Sequence, residues 1–378
     1  MRILITGGAG FIGSHLALRL VREGHAVTVL DILSQQIHGA DPDATSPLYA
    51  SIRGKVSFVR GSVCDEGVVG SCLENQDALV HLAAETGTGQ SMYEIRRYAE
   101  TNVGGTALIL DRLANHPHEI RRVVVASSRA IYGEGKYQAN DGSIIYPGAR
   151  RVEDMQAGRF EPLCPRTGDP MRPLPTDEES RIHPSSVYGI TKQNQEQMVM
   201  TVAPSLGIDA VALRYQNVYG PGQSLKNPYT GILSIFSTRI LNGNPINIFE
   251  DGKESRDFVF IDDIVEATCL ALFRNEAANQ IFGIGSGVPT DVLTVARTLT
   301  ERYRREVEIK ITGAFRVGDI RHNFADLSKA RRLLGYEPRM SFGEGVELFA
   351  RWAETQEIAE DNYERSIEEL AKKGLFQQ

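Results

Sequence analysis

Apolar and polar positions divide the first half of the chain into short β-favouring runs separated by longer helical stretches. The first run, Arg2–Thr6, stops at Gly7-Gly8-Ala9-Gly10, and an apolar, helix-compatible stretch occupies residues 11–21. Residues 26–30, 56–60, 78–82, 123–126 and 210–215 predict further strands. Helical periodicity runs through 92–115 and 185–203. Three consecutive β-branched residues, Val123-Val124-Val125, suit a strand buried on both faces. Strands alternating with helices in this order predict an α/β fold whose parallel sheet is covered on both sides.

Beyond residue 215 the pattern loosens. Helices are expected at 231–241, 263–273, 291–304, 328–334 and 343–373, with short strand-like runs at 245–249 and 256–262. The last helix is charged on most faces beyond Ala353 and is expected to be solvated. Residues 34–54 are rich in turn formers and read as a surface connection. Residues 134–183 are polar, irregular and proline-bearing. That is too long for an ordinary loop, so an insertion folded over the sheet edge or the active site is expected.

Composition narrows the possible functions. A formal net charge of −7 disfavours a nucleic-acid surface. Cys64, Cys72, Cys164 and Cys269 form no CxxC pair, so the expectation is reduced thiols in a cytoplasmic protein, without a metal site. No apolar run approaches the roughly 18 residues needed to cross a membrane.

Candidate chemistry begins at the glycine cluster. Gly7, Gly10 and Gly13 are three apart between a strand and a helix, a geometry that aims backbone N–H groups and a helix N-terminus at a diphosphate. Asp31 ends the second strand, close to the spacing at which a carboxylate meets ribose hydroxyls and repels a 2′-phosphate; NAD is therefore favoured over NADP. The 123–126 strand leads into Ser127-Ser128-Arg129, at the sheet edge where ligands gather. Tyr188 and Lys192 are four apart on the 185–203 helix, so phenol and ammonium share a face. A phenol is a poor base at neutral pH, and a nearby cation favours its phenolate. With Ser128 bonding the same substrate oxygen, these groups suit removal of a proton from a carbinol as hydride leaves.

With these residues in place, the chain resembles the extended short-chain dehydrogenase/reductases of the NAD-dependent nucleotide-sugar epimerase/dehydratase family, over most of its length to about Trp352. The resemblance implies a Rossmann-type doubly wound sheet in residues 1–215, carrying the 134–183 insertion. It also implies a smaller, mixed α/β substrate domain in 216–378, with interleaved segments. Ser128, Tyr188 and Lys192 match the family's catalytic triad. Gly7, Gly10, Phe11, Ile12, Gly13 and Asp31 match its NAD fingerprint, and Leu82, Ala83 and Ala84 match the stretch lining the cofactor. Lys192 in the family also bonds the nicotinamide ribose, and Asn102 matches a structural Asn grouped with the cofactor residues. Ser62 stands where an Asp usually meets the adenine amino group, which leaves that contact to the Val63 backbone. Thr86, Ser128, Arg129, Asn217, Arg256, Arg316 and Asp319 fall where such enzymes hold the sugar nucleotide. Asn217 and the arginines Arg256 and Arg316 would lie near its diphosphate, and Asp319 near its nucleoside ribose. The helices at 92–115 and 185–203 resemble those of a four-helix homodimer interface.

The residues directly after Ser128 separate the family's reactions. Dehydratases acting at C4 and C6 place an Asp-Glu pair there, and this chain has Arg129-Ala130. Decarboxylating relatives carry a Glu nearby, missing from 129–132, and no Cys/Lys or His pair is placed for 3,5-epimerisation. The simplest remaining chemistry is reversible hydride transfer at C4 of a nucleotide sugar, with Tyr188 as base and then acid. Residues 85–92 and 127–134, with the Cys164-Pro165 insertion, look similar to the branch that epimerises dTDP-6-deoxyhexoses. A UDP-hexose 4-epimerase, a 2-epimerase, a 4,6-dehydratase, a ketoreductase and a non-catalytic NAD-binding regulator are the alternatives. Specificity is expected in the C-terminal half and the insertion.

Overall fold

The computed structural model describes the chain except residues 228, 230, 358, 359 and 378. Its centre is a seven-stranded, all-parallel sheet. Five of its strands come first in sequence: β1 (Arg2–Thr6), β2 (Ala26–Asp31), β3 (Ser57–Arg60), β4 (Ala78–His81) and β5 (Arg122–Ser128). The sheet is completed by Asp209–Tyr215 beside β5 and by Gln280–Ile284 at the edge. The predicted division at residue 215 is thus crossed by a strand from the second half. The expected alternation is visible in β5: Val124 and Ala126 face one core layer, Val123 and Val125 the other. Burying each of these valine side chains stabilises the fold by about 1.5–3 kcal/mol, which makes this strand the natural centre.

Three expectations change. Residues 34–54 are not an irregular connection but three short helices, Gln35–His38, Pro42–Thr45 and Pro47–Ile52. Asp41 and Ser46 cap the last two, each followed by proline at the first helical position. The 92–115 helix is broken: Ile95–Tyr98 passes through a π-helical turn, Ala99–Gly104, into Gly105–Asn115. The wide turn brings fully buried Asn102 inward, where it bonds the Glu85 backbone and the Thr191 hydroxyl. The 343–373 helix stops at Glu354, and a second helix, Tyr363–Lys372, buries Tyr363, Ser366 and Leu370 instead of standing in solvent. Residues 358 and 359 of that span lie outside the described residues.

The insertion forms its own three-stranded antiparallel sheet, Lys136–Gln138 between Ile144–Ile145 and Arg172–Leu174, around Tyr137, Cys164 and Met171. It packs on the C-terminal half through Phe160 against Phe315, and through Arg150, whose guanidinium bonds both carboxylate oxygens of Glu250.

Candidate active site

Backbone geometry creates the first part of the site. Gly7 has φ +69, and a Cβ there would stand 2.7 Å from the Ala83 amide nitrogen. A Cβ on Gly13 would meet the Gly7 carbonyl oxygen at 2.4 Å. Only glycine allows β1, the turn and helix α1 (Phe11–Arg22) to come this close. The helix starts with no side-chain cap and no acidic residue in its first turn, so its leading N–H groups remain available to an anion. Asp31 accepts hydrogen bonds from the Ala9 and Leu33 amides, at 3.0 and 2.8 Å, and so ties the glycine turn to the end of β2.

These groups open into a cavity of about 510 Å³ along the carboxyl ends of the strands. Gly7, Gly10, Phe11, Ile12, Gly13, Asp31, Ser62, Val63, Leu82, Ala83 and Ala84 line it, as do Thr86, Ser128, Arg129, Tyr188, Lys192 and Asn217. Asn102 does not; it holds the Glu85 loop from behind. Arg316 and Asp319 line a small neighbouring cavity that shares Arg129. Arg256 lines neither, because its guanidinium is buried in bonds to the Ser255, Arg321 and Ile320 carbonyls and to Asp319. It acts as the support for Asp319. No residue of 134–183 lines either cavity, so the insertion buttresses the site from outside instead of folding over it.

Ser128 ends β5, and its hydroxyl accepts from the Ala130 amide at 3.1 Å. Tyr188 begins the Val187–Ser205 helix, which Ser186 caps. A Cβ on Gly189 would meet the Ala130 carbonyl at 2.6 Å, and this close approach brings Tyr188 over the Ser128 turn. The trio expected from the sequence is therefore gathered on one wall.

The family profile described as "NAD dependent epimerase/dehydratase family" matches residues 3–150 and 166–285. The chain belongs to the NAD-dependent epimerase/dehydratase family. It is 38% identical over 367 residues to a dTDP-L-rhamnose 4-epimerase of Burkholderia thailandensis, covering 96% of this chain and 97% of that one. Among solved structures, the UDP-glucose 4-epimerase of Thermotoga maritima, determined with UDP-glucose, is 32% identical with a TM-score of 0.71. That likeness covers 93% of this chain and 98% of the other. A protein solved with UDP-glucuronic acid and NAD is 26% identical, with a TM-score of 0.72 over 94% of this chain and 99% of that one. The glycine cradle, the uncapped helix start and Asp31 at the end of β2 fit the dinucleotide of this family.

In this epimerase/dehydratase, burial dominates the electrostatics of Tyr188 and Lys192. Burial raises the Tyr188 phenol, while the Ser128 hydroxyl and the Arg129 charge favour its phenolate. Lys192 turns its ammonium to the Gln195 side-chain oxygen at 2.7 Å, and burial pulls it down to about 7 against the opposing charge of Glu196. Arg129 is thus one cation that favours the phenolate. Beneath lies His81, bonded to Thr6 and Thr106 and kept neutral by burial and by Lys192, with its pKa lowered to about 3. Arg129 is pulled down to about 10 by burial and by Arg256, and donates to Asn217 at 3.1 Å. Burial pushes Asp319 up, but Arg256, Arg316, Arg150 and Arg129 outweigh it and hold the carboxyl below its ordinary value.

Sequence reasoning missed two parts of the surroundings. One is a network around fully buried Arg321, whose guanidinium bonds Glu161, Glu250 and Asp251. The other is Gln36, which reaches across the cavity to Gln90 at 3.2 Å and Asn227 at 3.4 Å. Residues so distant in sequence leave no shared periodicity; the turn-rich composition of 34–54 is the only signal near Gln36.

Proposed function

We propose that the protein is a nucleotide-sugar 4-epimerase whose substrate is a dTDP-6-deoxyhexose, interconverting dTDP-L-rhamnose and its C4 epimer, dTDP-6-deoxy-L-talose. One observation carries the choice of reaction. Among the described residues, the carboxylates lining the large cavity are Asp31, at the glycine turn, and Glu85, which is paired with Arg97 at 2.7 Å. The small cavity adds Asp319, paired with Arg256. No free acid pair among them stands beside Ser128 to eliminate water or epimerise at C3 and C5. The 38% identity to the dTDP-L-rhamnose 4-epimerase supports the choice of substrate.

NAD, when bound, supplies a reversible hydride acceptor for C4. The Tyr188 oxygen takes the proton of the C4 hydroxyl and later returns it, so one residue is base and then acid. The Ser128 hydroxyl holds the same oxygen in place. Arg129 favours the phenolate at the moment it is needed. Epimerisation requires the 4-keto sugar to present its opposite face between the two transfers, and the joined cavities leave Thr86, Asn217 and Arg316 to hold the rest of the ligand. Lys192 and the residues of the glycine turn, Ser62, Val63 and 82–84 hold the cofactor in this reading. The protein is proposed to work in the cytoplasm, in carbohydrate biosynthesis, as a homodimer. Ile95 and Ile190, 54% and 46% exposed on the two helices of the expected interface, support the dimer.

Incubating the purified protein with NAD and dTDP-L-rhamnose should yield a mixture of C4 epimers, read by proton NMR. A protein that leaves dTDP-, UDP- and GDP-sugars all unchanged would rule this function out.

A further inference from the structure

The helix Tyr363–Lys372 and the strand Phe376–Gln377 lie beyond Trp352, after the last of the sequence motifs named above, yet they close one side of the ligand site. The strand pairs antiparallel with Phe315–Arg316, and the Leu375 carbonyl accepts from the Val317 amide at 3.0 Å. Phe249 is held between the Tyr363 ring, 6.5 Å away, and the Phe376 ring, 5.2 Å away, while the Arg316 guanidinium covers it at 5.0 Å. The Arg316 Nε is enclosed and has no hydrogen-bond partner among the described residues. Arg316 is therefore placed by the terminal segment, and it lines the small cavity.

Two leucines of this segment reach further. Leu370 and Leu375 line the small cavity together with Arg129, Arg316 and Asp319. The lining combines the guanidinium groups of Arg129 and Arg316, and the Asp319 carboxylate paired with Arg256, with the apolar side chains of Leu370 and Leu375, a mixture that suits a ligand with a phosphate group and a ring. The helix is also fastened at the rim: Glu369 accepts from the Tyr229 hydroxyl, and Tyr229 lines the large cavity. Further fastenings include Arg239 to Glu364 at 3.1 Å, and Asn244 to Asp361, just ahead of the helix, at 2.7 Å. The Arg239 guanidinium also lies over the Tyr363 ring at 4.2 Å. Apart from Tyr363, Ser366 and Leu370 the helix is not buried, so a few polar bonds and one apolar row hold it down. Fastenings of this kind, with Glu364 two-thirds exposed, are weak individually.

We propose that residues 363–377 are a strap that completes the sugar-nucleotide site. Docked, it fixes Arg316 for the diphosphate and supplies Leu370 and Leu375 as an apolar wall; undocked, it admits substrate and releases product. The proposal rests on the nucleotide-sugar reading above.

The test uses the NAD-loaded, full-length protein with dTDP and dTDP-L-rhamnose as probes. Hydrogen exchange of amides 363–377 should slow when either probe is added. Calorimetric dTDP affinity should fall about tenfold or more in a chain ended after Glu354 and in the Leu370→Ala/Leu375→Ala double variant, with bound NAD unchanged. Glu369→Gln should speed exchange of the strap and weaken dTDP less. If the shortened chain does not fold, the two substituted proteins decide. Wild-type dTDP binding that all variants share, or strap exchange indifferent to both probes, would overturn the strap while leaving the 4-epimerase reading intact. A wild-type protein that binds neither probe nor any UDP- or GDP-sugar overturns that reading first, and the strap with it.

Discussion

At the β1–α1 turn, ligand chemistry is carried by the backbone: Gly7, Gly10 and Gly13 bring N–H groups and a helix end together within thirteen residues of sequence. Behind the opposite wall of the cavity, the support beyond β5 is built from charges that meet over long separations. Arg321 reaches Glu161 across 160 positions, Arg150 reaches Glu250 across 100, and Arg256 holds Asp319 across 63. The first arrangement depends on the absence of side chains and the second on their pairing. One tolerates no added atom, and the other tolerates no lost partner.

Substitutions test that contrast in order of expected effect. Tyr188→Phe acts where the two walls meet and should lower kcat by about 10²–10⁴-fold, the usual worth of a positioned acid–base group, with an unchanged melting temperature. Arg321→Met should destabilise the protein by about 3–5 kcal/mol in urea titrations, because it removes the buried cation shared by Glu161, Glu250 and Asp251 and leaves Glu250 with Arg150 alone. If that variant is as stable as the wild type, the C-terminal wall is not held by paired charge. Gly13→Ala should cost about 1–3 kcal/mol by overpacking, and should weaken NAD binding as well, measured by cofactor fluorescence.

A pH experiment reads the border between the walls. Lys192 has its folded-state pKa lowered from 10.5 to about 7, so between those values the unfolded chain binds the extra proton. Stability contributed through this group therefore rises as pH climbs from 7 towards 10.5. In the cofactor-free protein, Lys192→Met should flatten that part of the urea-stability profile; an unaltered slope would refute the buried, depressed ammonium. The smallest change in stability is expected for Ile190→Glu, whose side chain is 46% exposed in the single chain. Light scattering should nevertheless show it converting the proposed dimer to monomers.

How far the sequence carries depends on the same contrast. Strand β5, the glycine turn and the trio of Ser128, Tyr188 and Lys192 are legible because each is a local pattern or a fixed spacing, and the structure gathers them on one cavity. The spacing of Tyr188 and Lys192 gives no sign of Gln195, three residues beyond the lysine, which accepts from the ammonium. Arg256 matches a ligand position but spends its donors on carbonyls that only the fold brings near. The length of the insertion suggests a cover for the site; its own sheet and the Arg150–Glu250 pair give it a purpose elsewhere. The terminal helix reads as solvated because only three of its residues are buried, and Tyr363 meets Phe249 more than a hundred positions away.

The strand Gln280–Ile284 has a consequence for how the chain reaches this state. It is the edge of the cofactor-binding sheet, yet it is synthesised after nearly three-quarters of the polypeptide, and its register partner, Asp209–Tyr215, waits for it with Leu213 and Tyr215 already apolar on their faces. A ribosome-bound fragment ending before residue 280 therefore carries an unpaired parallel edge, a template for pairing with another chain. Such non-local pairing closes late and slowly. Expression of the first 215 residues alone should accordingly give aggregate, and chaperone demand during synthesis should peak before this short segment emerges.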